Sequence, residues 1–316
     1  MRFLLWHICY RRPGNVAQNF PMPPEITTEF EAERPHLLAL AYRMLGSRAE
    51  AEDAVQEAWL RYAKVRDGGE IHDVRGWLTT VTGRICLDVL KSARVSREAY
   101  PGQWLPSYFV DPDPGPAGRA ELDDQVGLAL LVVLEKLSPE QRVALVLHDA
   151  FGVPYEDVAD VLGTTESTAR QHASRGRRAV ARGAVRHTAD RVEQRRALGA
   201  FLAAATSGDV RALAAVLAPD VVAIGDGGGL PGVGTRVVEG ADRVARFYLG
   251  ILGSKMSDDV TVEPVLVNGT AGLLVRGTYA NGRPLLSVMG FTVDAGLITG
   301  IFNQLNPDKL RLGDLL

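Results

Sequence analysis

Residues 155–178, YEDVADVLGTTESTARQHASRGRR, decide how the chain is read. Val158, Ala159 and Leu162 recur at helical spacing and predict a short helix from Tyr155 to Leu162 with those three side chains inward. Gly163 follows, the residue that tolerates left-handed dihedrals at a helix end. A second helix is expected from about Thr165, capped by Thr164 or Thr165. It turns Ala169, His172, Ala173 and Gly176 inward and leaves Ser167, Arg170, Gln171, Ser174, Arg175 and Arg178 outward. Two short helices joined at a glycine, the second one basic, form a helix-turn-helix pattern. Arg170 and Gln171 suit base edges in a major groove, and the later arginines suit phosphates. Two positions cut against the motif. His172 stands where an aliphatic residue is usual and reads as a packing residue. Gly176 lies inside the helix, at about 1 kcal/mol relative to alanine.

The whole chain of 316 residues carries a formal net charge of −3, which at first opposes a nucleic-acid partner. Between Ser167 and Ala189, however, there are six arginines and no carboxylate. Electrostatic attraction acts over about 8–10 Å, so the local patch decides rather than the sum. Acidic residues collect elsewhere, at Asp111, Asp113, Glu121, Asp123 and Asp124 and on a helix face around Asp53.

Working outward, three blocks and two joints appear. Residues 1–24 read as a disordered leader, with Met22 a second candidate start. Residues 25–99 and 121–187 are helical, and 100–120 form an irregular Pro/Gly-rich linker. Residues 190–316 change character: one or two helices, then strand-like runs such as VTVEPVLV, TAGLLVRG and PLLSVMGFTV split by Asn-Gly and Gly turns. That is an α+β domain. Hydrophobic residues make up 46% and charged residues 23%, a globular balance, and no apolar run is long enough to span a bilayer. Cys9 and Cys86 form no metal-type pair, and a reduced, cytoplasmic protein without metal or cofactor is expected.

In the first block, Ala51, Ala54, Val55, Ala58 and Tyr62 share a buried face. The opposite face carries Asp53, Gln56, Glu57 and Leu60, a leucine among carboxylates that suits a basic partner; a merely solvated acidic face is the alternative. After a glycine-containing loop, Arg66 to Asp73, a helix buries Leu78, Val81, Ile85 and Val89. Outside it leaves Arg84, Lys91, Arg94 and Arg97, with Thr79 and Thr80 near its start. Trp77 at that start can stack on a base or anchor the core.

These residues carry a family resemblance. LLALAYRMLGSRAEAEDAVQEAWLRY (37–62), VRGWLTTVTGRICLDVLKSAR (74–94) and LSPEQRVALVLHDAFGVPYEDVADVLGTTESTARQHASRGRR (137–178) resemble regions 2 and 4 of extracytoplasmic-function sigma factors. The remainder is similar to a SnoaL-like, cone-shaped α+β barrel, the extension carried by one subgroup. Two all-α domains plus this barrel are therefore expected. WLPSY (104–108) stands where the subgroup favours WLPEP, DGGGL (226–230) where a basic last residue is usual, and NPDKL (306–310) matches fully.

The resemblance implies partners and roles. Asp53, Gln56, Glu57 and Leu60 would dock on the β′ clamp helices of RNA polymerase core, and region 4 would meet the β flap. Trp77, Thr80, Arg84, Lys91 and Arg94 would melt and read the −10 promoter element. Ser167, Arg170, Gln171, Ser174, Arg175 and Arg178 would read the −35 element. It further implies regulation in cis without a separate anti-sigma protein. Asp226, Gly227, Gly228 and Gly229 with Asn306, Pro307, Asp308, Lys309 and Leu310 would dock on Trp104, Leu105 and Pro106. A small-molecule ligand in the C-terminal cavity could shift that contact. Residues 190–316 hold no histidine and no cysteine, so Asp226, Asp294, Tyr248 and Tyr279 are the main acid/base candidates, and an enzyme is not expected. A one-component DNA-binding regulator with a sensing C-terminal domain is the competing reading.

Overall fold

The computed structural model describes residues 24–66, 71–98, 100, 102–112, 127–183, 189–230, 234 and 236–310. The leader expected at the N-terminus therefore lies outside the described residues, apart from its last residue.

Three helices open the fold: α1 (Pro24–Leu45), α2 (Arg48–Arg66) and α3 (Val74–Glu98). Gly46, at φ +67°, lets the chain turn between the first two. Ser47 then accepts the Glu50 amide at 3.3 Å and Asp73 the Gly76 amide at 2.9 Å, so both following helices start on a side-chain cap. The expected inward face of α2 is buried throughout, from Ala51 to Tyr62. On α3, Leu78, Val81 and Ile85 are buried, and Val89 is half-buried.

The second helical group comprises α4 (Leu128–Leu134), α5 (Pro139–Leu145), a π-helical turn at Val146–Ala150, α6 (Tyr155–Leu162) and α7 (Glu166–Gly183). A Ser138/Gln141 capping box starts α5. Its apolar residues join those of α1–α3 in one continuous core. Gly83 of α3 lies at this contact, where a Cβ would meet Leu147 and Val161 at 3.4 Å, an ordinary packing distance. That packing corrects one expectation on α6: Val161 is buried toward α3, whereas Leu162 is only half-buried. It also accounts for Gly176. A Cβ there would sit 3.2 Å from the Gln141 carbonyl oxygen, so the glycine lets α7 lie close against α5.

Three helices, not one or two, precede or interrupt the C-terminal strands: α8 (Arg191–Ser207), α9 (Val210–Ala215) and α10 (Ala241–Lys255). The strands are β2 (Leu217–Asp226), β3 (Val238–Glu239), β4 (Thr261–Val267), β5 (Thr270–Thr278), β6 (Pro284–Asp294) and β7 (Leu297–Gln304). The linker, expected to be irregular, contributes β1 (Val110–Pro112), antiparallel to β4. A proline is tolerated there because β1 is an edge strand. The order is β1-β4-β5-β6-β7-β2-β3, antiparallel except for the β2/β7 pair.

Side chains alternate across the sheet. Leu273, Val275, Met289 and Phe291 face α8–α10, with Phe201, Val244 and Tyr248 opposite. Leu274, Val288 and Phe302 point the other way, onto Leu105, Leu128 and Leu310. One sheet thus separates the domain's own core from its contact with the helical part. No helix among the described residues is long and apolar enough to cross a membrane.

Candidate functional site

Helix α7 carries the basic face. Gly163 adopts φ +63°, and the Thr165 hydroxyl accepts the Thr168 amide at 3.3 Å, so the turn and cap form as the residue types require. Ala169 and Ala173 are fully buried and Gly176 is buried, while His172 is half-buried with its Nδ1 enclosed. Ser167, Arg170, Gln171, Arg175 and Arg178 are exposed and Ser174 is half-exposed. The positive field is tempered by carboxylates from outside the stretch. Arg170 pairs with Glu166 and lies 4.5 Å over the Tyr155 ring. Arg177 grips Asp149 through two 2.6 Å bonds and donates to the Tyr155 hydroxyl at 2.7 Å.

On α2, Asp53 and Gln56 are exposed, Glu57 is half-exposed and Leu60 is 56% exposed. Burial and the neighbouring Glu52 carboxylate push the Asp53 carboxyl above its usual range. Glu52 and Glu57 beside it are already paired, with Arg48 at 3.0 Å and Arg61 at 2.9 Å.

Helix α3 shows a different picture. Trp77 is half-buried, its ring 6.0 Å from that of Tyr62, which supports the core-anchor role for at least part of its surface. Thr80 is half-buried, and Thr79 is buried, donating to the Arg75 carbonyl. Lys91 and Arg84 are exposed, but Arg84 donates to the Asp160 carbonyl of α6 at 3.2 Å. The second helical group therefore sits against the face expected to read the −10 element. The side chains of Arg66, Arg94 and Arg97 and residues 67–70 of the 66–73 loop lie outside the described residues.

The linker is clasped from both sides. Asp226 is the last residue of β2 and fully buried. Its carboxylate accepts from the Leu105 amide at 2.9 Å, the Tyr100 hydroxyl at 2.5 Å, the Gly228 amide at 3.0 Å and the Lys309 ammonium at 2.7 Å. Lys309 also donates to the Leu105 carbonyl at 2.5 Å and lies 3.8 Å over the Trp104 ring. Asn306 donates to the Tyr100 hydroxyl at 3.0 Å and accepts the Asp308 amide. Gly228, at φ +63°, leaves room for Asn306, whose side chain would lie 2.5 Å from any Cβ. Gly227 and Leu310 are buried; Gly229, Pro307 and Asp308 are exposed. Pro106 offers its carbonyl to Gln304 at 3.1 Å. The residues singled out in the three motifs are thus brought together around one carboxylate. Burial, followed by the Asp226 carboxylate, pushes the Tyr100 hydroxyl well above its usual range and keeps it a donor.

Several clasp residues were not anticipated. Tyr42 of α1 donates to the Ser107 carbonyl at 2.6 Å and accepts from Asn268, whose own side chain and backbone hold Phe109. Asn268 sits in the β4–β5 Asn-Gly turn at φ +51°, so it reads as a turn residue in sequence. Arg142 of α5 is fully buried and donates to the Met44 carbonyl at 2.9 Å and to Glu135 at 2.6 Å. The Gly46 carbonyl, next to that junction, accepts the Ser107 amide at 2.7 Å. Nothing in the local pattern around Arg142 marks it as inward.

Of the acid/base candidates, Asp226 points into the clasp, Asp294 is half-buried at the end of β6, and Tyr248 and Tyr279 line a cavity between the sheet and α8 and α10.

Known proteins match this architecture. The sigma-70 region 2 model matches residues 30–95, the sigma-70 region 4 model residues 127–180, and the SnoaL-like domain model residues 198–301. The chain is 42% identical over 293 residues to the ECF RNA polymerase sigma factor SigJ of Mycobacterium tuberculosis, covering 89% of this chain and 92% of that one. It is 37% identical over 287 residues to the probable ECF RNA polymerase sigma factor SigI of the same species, covering 90% and 94%. The crystal structure of SigJ superimposes with a TM-score of 0.71 at 38% identity, over 90% of this chain and 97% of that one. Similarity over nine-tenths of two polymerase sigma factors sets aside the free-standing operator-binding regulator. The chain belongs to the extracytoplasmic-function sigma factors, the subunits that direct RNA polymerase to particular promoters, and carries the SnoaL-like C-terminal extension.

Proposed function

We propose that this sigma factor is held closed by its own C-terminal domain. In this reading Asp53, Gln56, Glu57 and Leu60 dock on the polymerase clamp helices, and α7 reads the −35 element through Ser167, Arg170, Gln171, Ser174, Arg175 and Arg178. Helix α3 engages the −10 element through Thr80, Arg84, Lys91, Arg94 and the free face of Trp77. Reading both elements at once requires the two helical groups to part, because Arg84 is bonded to the second group.

The observation that carries the proposal is the clasp of Asp226 and Lys309 on Leu105. It fixes the only covalent connection between the two DNA-reading groups. A clasp in cis performs what a separate anti-sigma protein would otherwise do.

Run-off transcription with core polymerase tests the idea. The full chain, chains ending after Ala189 and after Leu305, and the full chain carrying Lys309→Met are compared on the promoter upstream of the protein's own gene. Altered output from the unclasped forms supports cis-regulation. Identical output from all four refutes it.

A further inference from the structure

The C-terminal domain encloses a cavity of about 1030 Å³, bounded by the inner sheet face and by helices α8 and α10. Its wall is mostly apolar, with Phe201, Phe247, Leu273, Leu285 and Met289 among the lining residues. That is ample for a small organic ligand, since such pockets run to roughly 300–1,000 Å³.

The polar groups on the wall are one-sided in charge. Among the described lining residues there is no aspartate, glutamate or histidine, but there are two arginines, Arg236 and Arg283. Neither has a carboxylate partner among the described residues, whereas Arg177, Arg246 and Arg142 are all paired. Arg283 lies 5.9 Å over the Tyr279 ring, and Arg236 is exposed at the rim. Deeper in, Tyr248 is 7% exposed and its hydroxyl has no hydrogen-bond partner among the described residues. Burial raises that hydroxyl's pKa, so it remains a neutral donor. Ser287 and Asn303 both line the cavity, and the Ser287 hydroxyl donates to the Asn303 side-chain carbonyl.

We infer that this cavity is a receptor for an apolar carboxylic acid, its chain among the aromatic and aliphatic side chains and its carboxylate on Arg236 and Arg283. Guanidinium is the group that matches a carboxylate in a two-pronged geometry, and a site free of acids imposes no repulsion on it.

Position links the cavity to the clasp. The end of β5, the start of β6 and the ends of β7 and β2 all lie at one end of the sheet. Arg283 precedes β6, and Arg236 lies in the segment between β2 and β3, so both cations stand at that end. Along β7 and beyond it the sides alternate: Asn303 and Leu305 line the cavity, while Gln304 and Asn306 hold the linker region. Two residues before Arg236, the Gly234 carbonyl accepts the Gln103 amide of the linker at 3.2 Å. A carboxylate held by Arg236 would therefore bind two residues away in sequence from a carbonyl that holds the linker. The coupling rests on the cis-regulation proposed above; the binding does not.

The test uses the full-length protein and a fluorescent polyunsaturated fatty acid, cis-parinaric acid, beside its methyl ester. Saturable binding of one acid per chain is expected, with the ester, Arg236→Met and Arg283→Met each weaker by tenfold or more. No binding, or equal affinity for acid and ester, overturns the receptor. Amide exchange at Gln103 and Leu105 is then followed with and without the acid. A change of threefold or more supports the coupling. Binding without any change overturns the coupling and leaves the receptor. A transcriptional effect of the clasp variants without acid binding overturns the receptor and leaves the clasp.

Discussion

Replacing Lys309 with methionine removes the cation from a nearly dry pair: the side chains of Lys309 and Asp226 are 13% and 0% exposed. Methionine keeps most of the aliphatic stem, so the loss is electrostatic. Removing one partner of a buried pair costs about 3–5 kcal/mol, because the other charge is stranded. Asp226 keeps three donors, the Leu105 and Gly228 amides and the Tyr100 hydroxyl, which places the cost at the low end, about 3 kcal/mol. The contact of Lys309 with the Trp104 ring is lost in the same step. At tenfold per 1.4 kcal/mol this is about a 100-fold shift toward the released linker. Hydrogen exchange reads it directly, since the amides of Gln103, Leu105, Ser107 and Phe109 are all bonded to residues outside the linker. Exchange across 102–109 should accelerate by about 100-fold in the Lys309→Met protein. Adding Asp226→Asn removes the stranded charge and should restore much of the protection. Less than a threefold change in the single variant, or a double variant that exchanges faster than the single, would refute the reasoning.

Asp53→Arg and Leu60→Arg reverse or interrupt the exposed ridge on α2 and should abolish co-purification with core polymerase while leaving the melting temperature within a degree or two. Arg170→Ala should relax sequence preference in the −35 element at about 1–3 kcal/mol for one position, while Arg178→Ala weakens binding evenly and lowers the salt dependence, both measured by binding titrations across salt concentrations. His36 contacts Thr79 at 3.3 Å and meets the Phe151 ring edge-on at 5.1 Å, across the two helical groups. Burial first, then Arg75 and Arg43, lower its pKa against the opposing pull of Glu33. The packed state excludes the proton, so its stabilisation is complete above the unfolded value of about 6.5 and declines as pH falls below it. His36→Phe should flatten the part of the melting-temperature loss between pH 7.5 and 5.5 that the parent shows.

Much of the helical part could be read locally. The buried face of α2, the turn at Gly163 and the outward arginines of α7 follow from residue types three and four positions apart. The glycines were harder. Gly83 and Gly176 look like weak points in a helix until the partner helix that touches each is known. The contact of Asp226 with the linker followed only from the family resemblance, because three of its partners lie 83 to 126 residues away and nothing local marks them. Arg142 and Asn268 carry no local mark of their bonds to Met44 and Tyr42. The proline-rich composition around Val110–Pro112 argued against a strand, and only the unpaired side of β4 made one there. Long-range pairing, rather than propensity, decided each of these positions.

β7 serves two compartments through neighbouring residues. Inserting or deleting a single residue before Asn303 would rotate the strand's end by half a turn, delivering Gln304 to the hollow and Asn303 to the hinge. Both jobs would fail in one event. Length changes in this strand should thus be far less tolerated than in the exposed turn between α8 and α9, and ligand sensing and linker restraint are expected to be inherited, or lost, as one heritable unit.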